Sequence, residues 1–261
     1  MPLDLDLRLD RQSSALEGAG LRMSMGIVPA AFAAAVAAAA VFPATGWAAE
    51  SRCFGTVARG SITDSVRLPM SGPNFSAYST MAAGIGRTHV HSTVARIVVD
   101  SYRAMETSLP GTVFVYGETG LSEGGRFKPH RTHQNGTSVD FFVPVRDPKD
   151  RSVPLPTPIT QRFGYDIDFD ANARHGEYRI DFEAIGEHLY QLDAASKAAG
   201  TGITQVIFDR AYLPRLFATK RGPWIEQHIR FMRTTPWVRH DEHYHVDFAI
   251  RCEPQRAVKP S

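Results

Sequence analysis

Hydrophobic and polar positions along this chain change period several times, and each change marks an element. From His91 to about Thr107, the residues Val94, Ile97, Val98, Tyr102 and Met105 recur three or four apart. That spacing predicts an amphipathic helix with one apolar face. Leu109-Pro110-Gly111 breaks it, Thr112–Tyr116 reads as a buried strand, and a glycine-rich loop, Gly117–Gly125, follows. Ser138–Val143, entered through an Asn135-Gly136 turn, is a second strand signal, aromatic and β-branched. Phe182–Ala199 predicts another amphipathic helix, with Ile185, Leu189, Leu192 and Ala195 on one face. Thr204–Phe208 reads as a short strand, Tyr212–Phe217 and Trp224–Met232 as short helices, and the histidine-bearing stretch 239–250 as a further strand. Two regions lack periodicity. Residues 54–80, rich in Gly, Ser, Pro and Asn, read as an extended approach with turns. Residues 145–180 read as a long polar insertion, expected to wall a cleft. With helices and strands mixed and no βαβ repeat, the expectation is an α+β domain: a central, mainly antiparallel sheet flanked by helices.

The N-terminus has its own pattern. Arg22 precedes an Ala/Val-rich run from Ile27 to Val41, and small residues lead to Glu50. This is the layout of a secretory signal peptide, with cleavage after Ala48. The apolar run is short for a transmembrane anchor, which needs about 20 residues. The acidic residues before Arg22 are unusual for a signal, and Met23 or Met25 is an alternative start. The expected organisation is therefore 1–48 as N-terminal extension and signal, 49–254 as one domain, and 255–261 as a disordered tail. Export places the mature chain in an oxidising compartment. There Cys53 and Cys252, the only cysteines, are expected to join the two ends of the domain.

Charge and composition exclude more than they suggest. A net charge of +2 and 43% hydrophobic residues describe an ordinary globular chain. Removing residues 1–48 takes away three Arg and four Asp/Glu, which brings the charge to +3. No Lys/Arg-dense helix or stripe argues for nucleic acid. The Gly117–Gly125 loop lacks the Gly-Lys-Ser/Thr ending of a phosphate loop, and Gly-x-Ser-x-Gly, Ser-x-x-Lys and His-Glu-x-x-His patterns are absent.

The chemistry concentrates in two stretches. In the first, His130 and His133 are three apart and Asp140 follows His133 by seven, inside an apolar strand where a lone carboxylate is costly unless paired or metal-bound. In the second, His240, His243 and His245 fall within six residues, and the last two share a strand face. Two neutral imidazoles and one carboxylate form a common zinc shell with an open fourth position. His133, Asp140 and His245 are the expected ligands. His89 and His91 read as loop and helix-start residues, because neither has a carboxylate at ligand spacing. Asp166, Asp168 and Asp170 resemble part of a calcium loop but lack its Gly and distal Glu, and read as a solvated strand or turn.

These residues resemble the penicillin-insensitive murein endopeptidases, within the zinc peptidases that include the lysostaphin-type and D-Ala-D-Ala enzymes. The shared signature is His-x6-Asp, here His133 to Asp140, followed by His-x-His, here His243 to His245. Gly124-Gly125-Arg126-Phe127, His130, and His240 with the preceding Pro236-Trp237 extend the likeness, which runs from about Cys53 to Pro254. The resemblance implies a periplasmic zinc endopeptidase that cuts D-Ala–meso-diaminopimelate cross-links of peptidoglycan, with no stable membrane insertion after signal cleavage. In that reading His243 or His240 is the general base and His130 is a fourth ligand or a neighbour of the ligands. Arg126 pairs with a substrate carboxylate or holds its loop. Strand alternation places Glu242 on the face opposite His243. The sequence departs from some members at Asn172-Ala173-Arg174-His175, where an amide replaces an expected carboxylate, so a second metal is not expected. Two other readings compete. One is a zinc D,D- or L,D-carboxypeptidase acting on stem peptides. The other is a non-catalytic murein- or zinc-binding module, which predicts a missing ligand or base, whereas all are present.

Overall fold

The computed structural model describes residues 50–255. The expected extension and signal at 1–48, and all but the first residue of the expected tail, lie outside the described residues. In chain order the elements are β1 (Arg52–Thr56), β2 (Arg59–Thr63), β3 (Val66–Arg67), β4 (Phe75–Ala77), α1 (Thr80–Gly84), β5 (His89–Val90), α2 (Ser92–Ser108), β6 (Phe114–Tyr116) and β7 (Ser138–Phe142). Then come β8 (Val145–Arg146), β9 (Ser152–Val153), β10 (Arg174–His175), β11 (Tyr178–Ile180), α3 (Phe182–Ala198), β12 (Ile203–Ile207), α4 (Leu213–Phe217), α5 (Gly222–His228) and β13 (His243–Phe248). Among the described residues no helix is long and apolar enough to cross a membrane.

The central sheet has the order β12-β13-β7-β6-β4, antiparallel except for the parallel β4–β6 pair. This is the α+β, mainly antiparallel architecture expected. Its two middle strands are buried on both faces, and the faces differ. Val139, Phe141, Tyr244 and Val246 belong to the hydrophobic core, which includes Val94, Val98 and Tyr102 of α2 and Ile185, Leu189 and Leu192 of α3. The alternate residues Asp140, His243, His245 and Asp247 are polar and equally buried. A period of two thus sorts core from chemistry along each strand.

Both long helices form where apolar periodicity predicted them. His91 Nδ1 accepts from Thr93 N at the start of α2, and Asp181 accepts from Ala184 N at the start of α3. His91 is therefore a helix cap, while His89 contacts Ser65 Oγ.

Three expectations need correction. Residues 54–80 are not merely an approach: they supply the β1–β2 hairpin and β4, an edge strand of the central sheet. Their two- to five-residue strands owe their shape to pairing partners, which local pattern does not show. Residues 145–180 are not an unstructured insertion either. Strands β10-β11-β8-β9 form a second sheet, and Leu155, Ile167, Phe169 and Ala173 join the core. Finally, only His243–Phe248 of the 239–250 stretch is strand.

A disulfide joins Cys53 to Cys252, 199 residues apart, as the cysteine count suggested. Beside it Gly55 N donates to Glu253 O at 2.8 Å, and Glu253 N donates to Cys53 O at 2.9 Å.

Candidate metal centre

Strand register assembles the site. In the antiparallel β7–β13 pair His245 lies directly opposite Asp140, and Asp247 opposite Ser138. Directly opposed side chains on one face are neighbours. His245 Nδ1 sits 2.8 Å from Asp140 Oδ1. His133 occupies the turn before β7 with φ 66°, a left-handed value uncommon for a residue with a side chain. It brings Nε2 to 3.2 Å from the same Asp140 oxygen. His130 Nδ1 stands 3.7 Å from Asp140 Oδ2, and His243 Nε2 stands 3.8 Å from Oδ1. Donor atoms of His130, His133 and Asp140 all lie within 4.8 Å of one another. A cluster able to hold a metal is therefore present.

Hydrogen bonding fixes the outer nitrogen of each ring. His133 Nδ1 faces Thr119 O at 3.2 Å, and a carbonyl only accepts, so Nδ1 carries the hydrogen. Its Nε2 is fully buried, has no hydrogen-bond partner, and aims a lone pair at a carboxylate oxygen. His130 Nε2 meets Glu118 Oε2 at 2.6 Å. His245 is held by two carboxylates at once, because its Nε2 lies 2.8 Å from Asp247 Oδ1, which also accepts from Ser138 Oγ at 2.6 Å. A neutral imidazole donates only once. The Asp140 contact therefore needs either a second proton or a cation. Outward hydrogen bonds to carboxylate or carbonyl, with inward lone pairs, are the usual arrangement of metal-bound histidines. The residues fit a divalent metal of the zinc type.

Electrostatics agree. Burial opposes charge on His245, but Asp247 and Asp140 outweigh it and push its pKa up to about 10. Burial likewise opposes ionisation of Asp140, yet His133 and His243 hold it well below the usual carboxylate range. Glu118 is held at about 2 against its burial by Arg87, His130 and Tyr78. Burial pushes His240 down to about 3 and His243 to about 4, so both are neutral near pH 7.

The centre opens into a cleft of about 420 Å³. His240, His243 and His245 line it, with Glu242 beside His243 Nδ1 at 2.8 Å. The strand-alternation argument for Glu242 fails, because the chain bends before β13 begins at His243. His240 Nδ1 is 2.9 Å from Val238 O, which leaves Nε2 as its lone-pair nitrogen. Ile159, Phe163 and Tyr165 line the cleft from the 145–180 region, which does supply part of the wall as expected. Trp237 and Val238 also line it. Arg126 is exposed and lines a neighbouring hollow that shares Lys128, Pro129 and His130 with the cleft, while Arg87, Lys128, Arg162 and Arg239 line the cleft itself.

Sequence reading missed three residues here. Asp247 was detectable, since it follows His245 by two on the same strand face. Glu118 and Tyr165 carry no local signal, because both reach the centre through tertiary packing. His175 lies outside the cluster, its Nδ1 on Asp168 O at 3.0 Å, and Asp170 caps a turn through Asn172 N and Arg174 N.

No individual curated protein matches the chain. A family model described as penicillin-insensitive murein endopeptidase matches residues 53–167. That stretch holds His130, His133 and Asp140. The His240–His245 stretch follows it in sequence and is brought to it by the β7–β13 pairing. Over residues 53–167 the chain is thus similar to the penicillin-insensitive murein endopeptidase family.

Proposed function

We propose that this chain is an exported zinc metalloendopeptidase that hydrolyses the D-Ala–meso-diaminopimelate cross-link of peptidoglycan. The likeness of residues 53–167 to the murein endopeptidase family supports a peptidoglycan-hydrolysing metallopeptidase in general. The observation that carries the metal chemistry is the buried, unpartnered His133 Nε2 facing Asp140 beside the doubly engaged His245. His133, Asp140 and His245 would hold the metal, with His130 as a fourth donor. When bound, zinc supplies Lewis-acid polarisation of the scissile carbonyl and of the attacking water.

The chain's own groups do the rest. His243 and His240 are neutral and line the cleft, so either can take the water's proton and return it to the leaving amine. The hydrogen bond to Val238 O presets the His240 tautomer for that role. Phe163, Tyr165 and Trp237 give the cleft apolar surface that limits competing water. Lys128 and Arg162, with exposed cationic ends at the cleft, suit the carboxylates of stem peptides.

The test is digestion of purified peptidoglycan with residues 49–261, with and without a chelator, read by mass spectrometry. Cross-linked dimers should become monomers only with metal, and His245→Ala should abolish this. Loss of a terminal alanine alone would establish a carboxypeptidase instead. No cleavage by a zinc-loaded chain would leave a binding module.

A further inference from the structure

Tyr165 stands on a different segment from every histidine of the centre, yet its hydroxyl reaches the middle of it. The hydroxyl donates to Asp140 Oδ2 at 3.0 Å and accepts from Glu118 N at 2.7 Å. Its ring is wedged between His130 and His243, with centroids 5.3 and 5.2 Å away. Space for it is kept by Gly117, where an added Cβ would fall 2.6 Å from the Tyr165 hydroxyl and 3.1 Å from Asp140 Cβ.

The segment leading to Tyr165 is strained. Arg162 and Phe163 have φ of 47° and 56°, and Gly164 has 101°. Two consecutive left-handed residues with side chains persist only where the surroundings over-determine them, at on the order of 1–3 kcal/mol each. The surroundings hold them: Phe163 packs against the core, edge-on to Tyr78 at 6.2 Å, and its N donates to Pro158 O at 3.0 Å, while Arg162 pairs with Asp166 at 3.1 Å and Tyr165 anchors the end. The same segment presents Ile159, Arg162 and Phe163 to the cleft.

We propose that Tyr165 is a positioning residue that fixes the second oxygen of Asp140 and thereby couples the 159–165 wall of the cleft to the metal centre. Oδ1, the oxygen nearest His133, His243 and His245, would then be the one left to bind the metal. Coupling is reciprocal: a wall that orders the ligand is itself ordered when the metal binds. The inference rests on the metal reading of the cluster, not on the identity of the substrate.

The experiment uses residues 49–261 and the variant Tyr165→Phe, which keeps the ring and removes the hydroxyl. Zinc affinity is read by competition with a chromogenic chelator, and wall order by trypsin cleavage after Arg162. Cleavage after Arg151, in the separate 147–151 turn, is the internal reference. Wild type should show Arg162 cleavage slowed several-fold by zinc with Arg151 unaffected. Tyr165→Phe should bind zinc at least about 10-fold more weakly, in line with losses seen for partners of metal ligands, and lose the zinc protection of Arg162. Unchanged affinity in Tyr165→Phe beside a zinc-binding wild type overturns the inference alone. A wild type that binds no zinc overturns the metal reading and this inference with it. Should the variant fold poorly, wild-type cleavage decides: no zinc effect at Arg162 refutes the coupling.

Discussion

The disulfide offers the prediction whose size follows most directly from the structure. Cys53 and Cys252 close a loop with a sequence separation of 199 residues. In the chain-entropy account, opening a loop of that length frees the unfolded chain by about 5 kcal/mol, and measured losses fall in the range of about 2–5 kcal/mol. The native state of a Cys53→Ala, Cys252→Ala protein should survive, because other contacts hold the same ends. Glu253 keeps its two backbone hydrogen bonds with Cys53 and Gly55 and its ion pair with Arg52 at 2.5 Å. For a domain of this size each kcal/mol shifts the midpoint by about 2–4 °C, so the variant should melt roughly 5–20 °C lower. Thermal unfolding by circular dichroism would compare oxidised wild type, reduced wild type and the variant; the last two should coincide. Cys53 lines a hollow separate from the cleft, so zinc affinity should not change. A variant melting within about 2 °C of oxidised wild type would refute the loop-closure reasoning.

Three further outcomes are expected. Asp247→Asn keeps an acceptor for His245 but removes the charge, and should weaken zinc binding about 10- to 100-fold with the fold retained, as read by chelator competition. Gly117→Ala inserts a Cβ against the Tyr165 hydroxyl and Asp140, and should lower both zinc affinity and peptidoglycan hydrolysis at least about 10-fold. His188, buried between α2 and the sheet with its Nδ1 on Tyr244 Oη at 2.5 Å, is pushed down by burial to about 3. The unfolded chain protonates it near 6.5 and the folded chain does not. Stability should therefore fall as pH drops below 6.5 towards 3, by about 2 kcal/mol at pH 5 from this residue, and His188→Gln should flatten that slope in urea unfolding at pH 7 and pH 5.

What could be read from sequence was whatever short-range order encodes. His133 to Asp140 and His243 to His245 are local spacings, and the period of two in Ser138–Phe142 and His243–Phe248 set which side chains share a face. The pairing of these strands was not written locally, yet two buried-type strands each bearing half a ligand set leave few other arrangements. The helices were legible because apolar residues recur over 17 positions in both α2 and α3. Elements of two or three residues, such as β4 and β8, were not, since their partners define them. Tyr165 illustrates the limit most clearly. Its role depends on a turn at Arg162–Gly164, a gap at Gly117 and the position of Asp140, three facts from three parts of the chain. Arg126, close in sequence to the first motif, lines the hollow beside the cleft, which shares Lys128, Pro129 and His130 with it.

The charge balance of the centre gives an independent reason for a divalent ion. Asp140, Glu118 and Asp247 are buried carboxylates, each held below its usual pKa. Arg87 is the guanidinium paired with Glu118. Neutral histidines then leave two negative charges on buried carboxylates, a costly state. The outer nitrogens of His130, His133 and His245 meet Glu118, a carbonyl and Asp247, so with these rings neutral their inner nitrogens present lone pairs to Asp140. One proton on His245 would relieve half of the deficit and would leave His133 Nε2 unpartnered. One divalent cation would relieve all of it, and the donor atoms of His130, His133 and Asp140, which lie within 4.8 Å of one another, could share it. Three imidazoles with one carboxylate oxygen form a nitrogen-rich set, which suits zinc and its transition-metal neighbours better than the oxygen-seeking magnesium or calcium. On this reading Asp247 and Glu118 would act through their histidines, each fixing which nitrogen of the ring it contacts would be free to bind a metal.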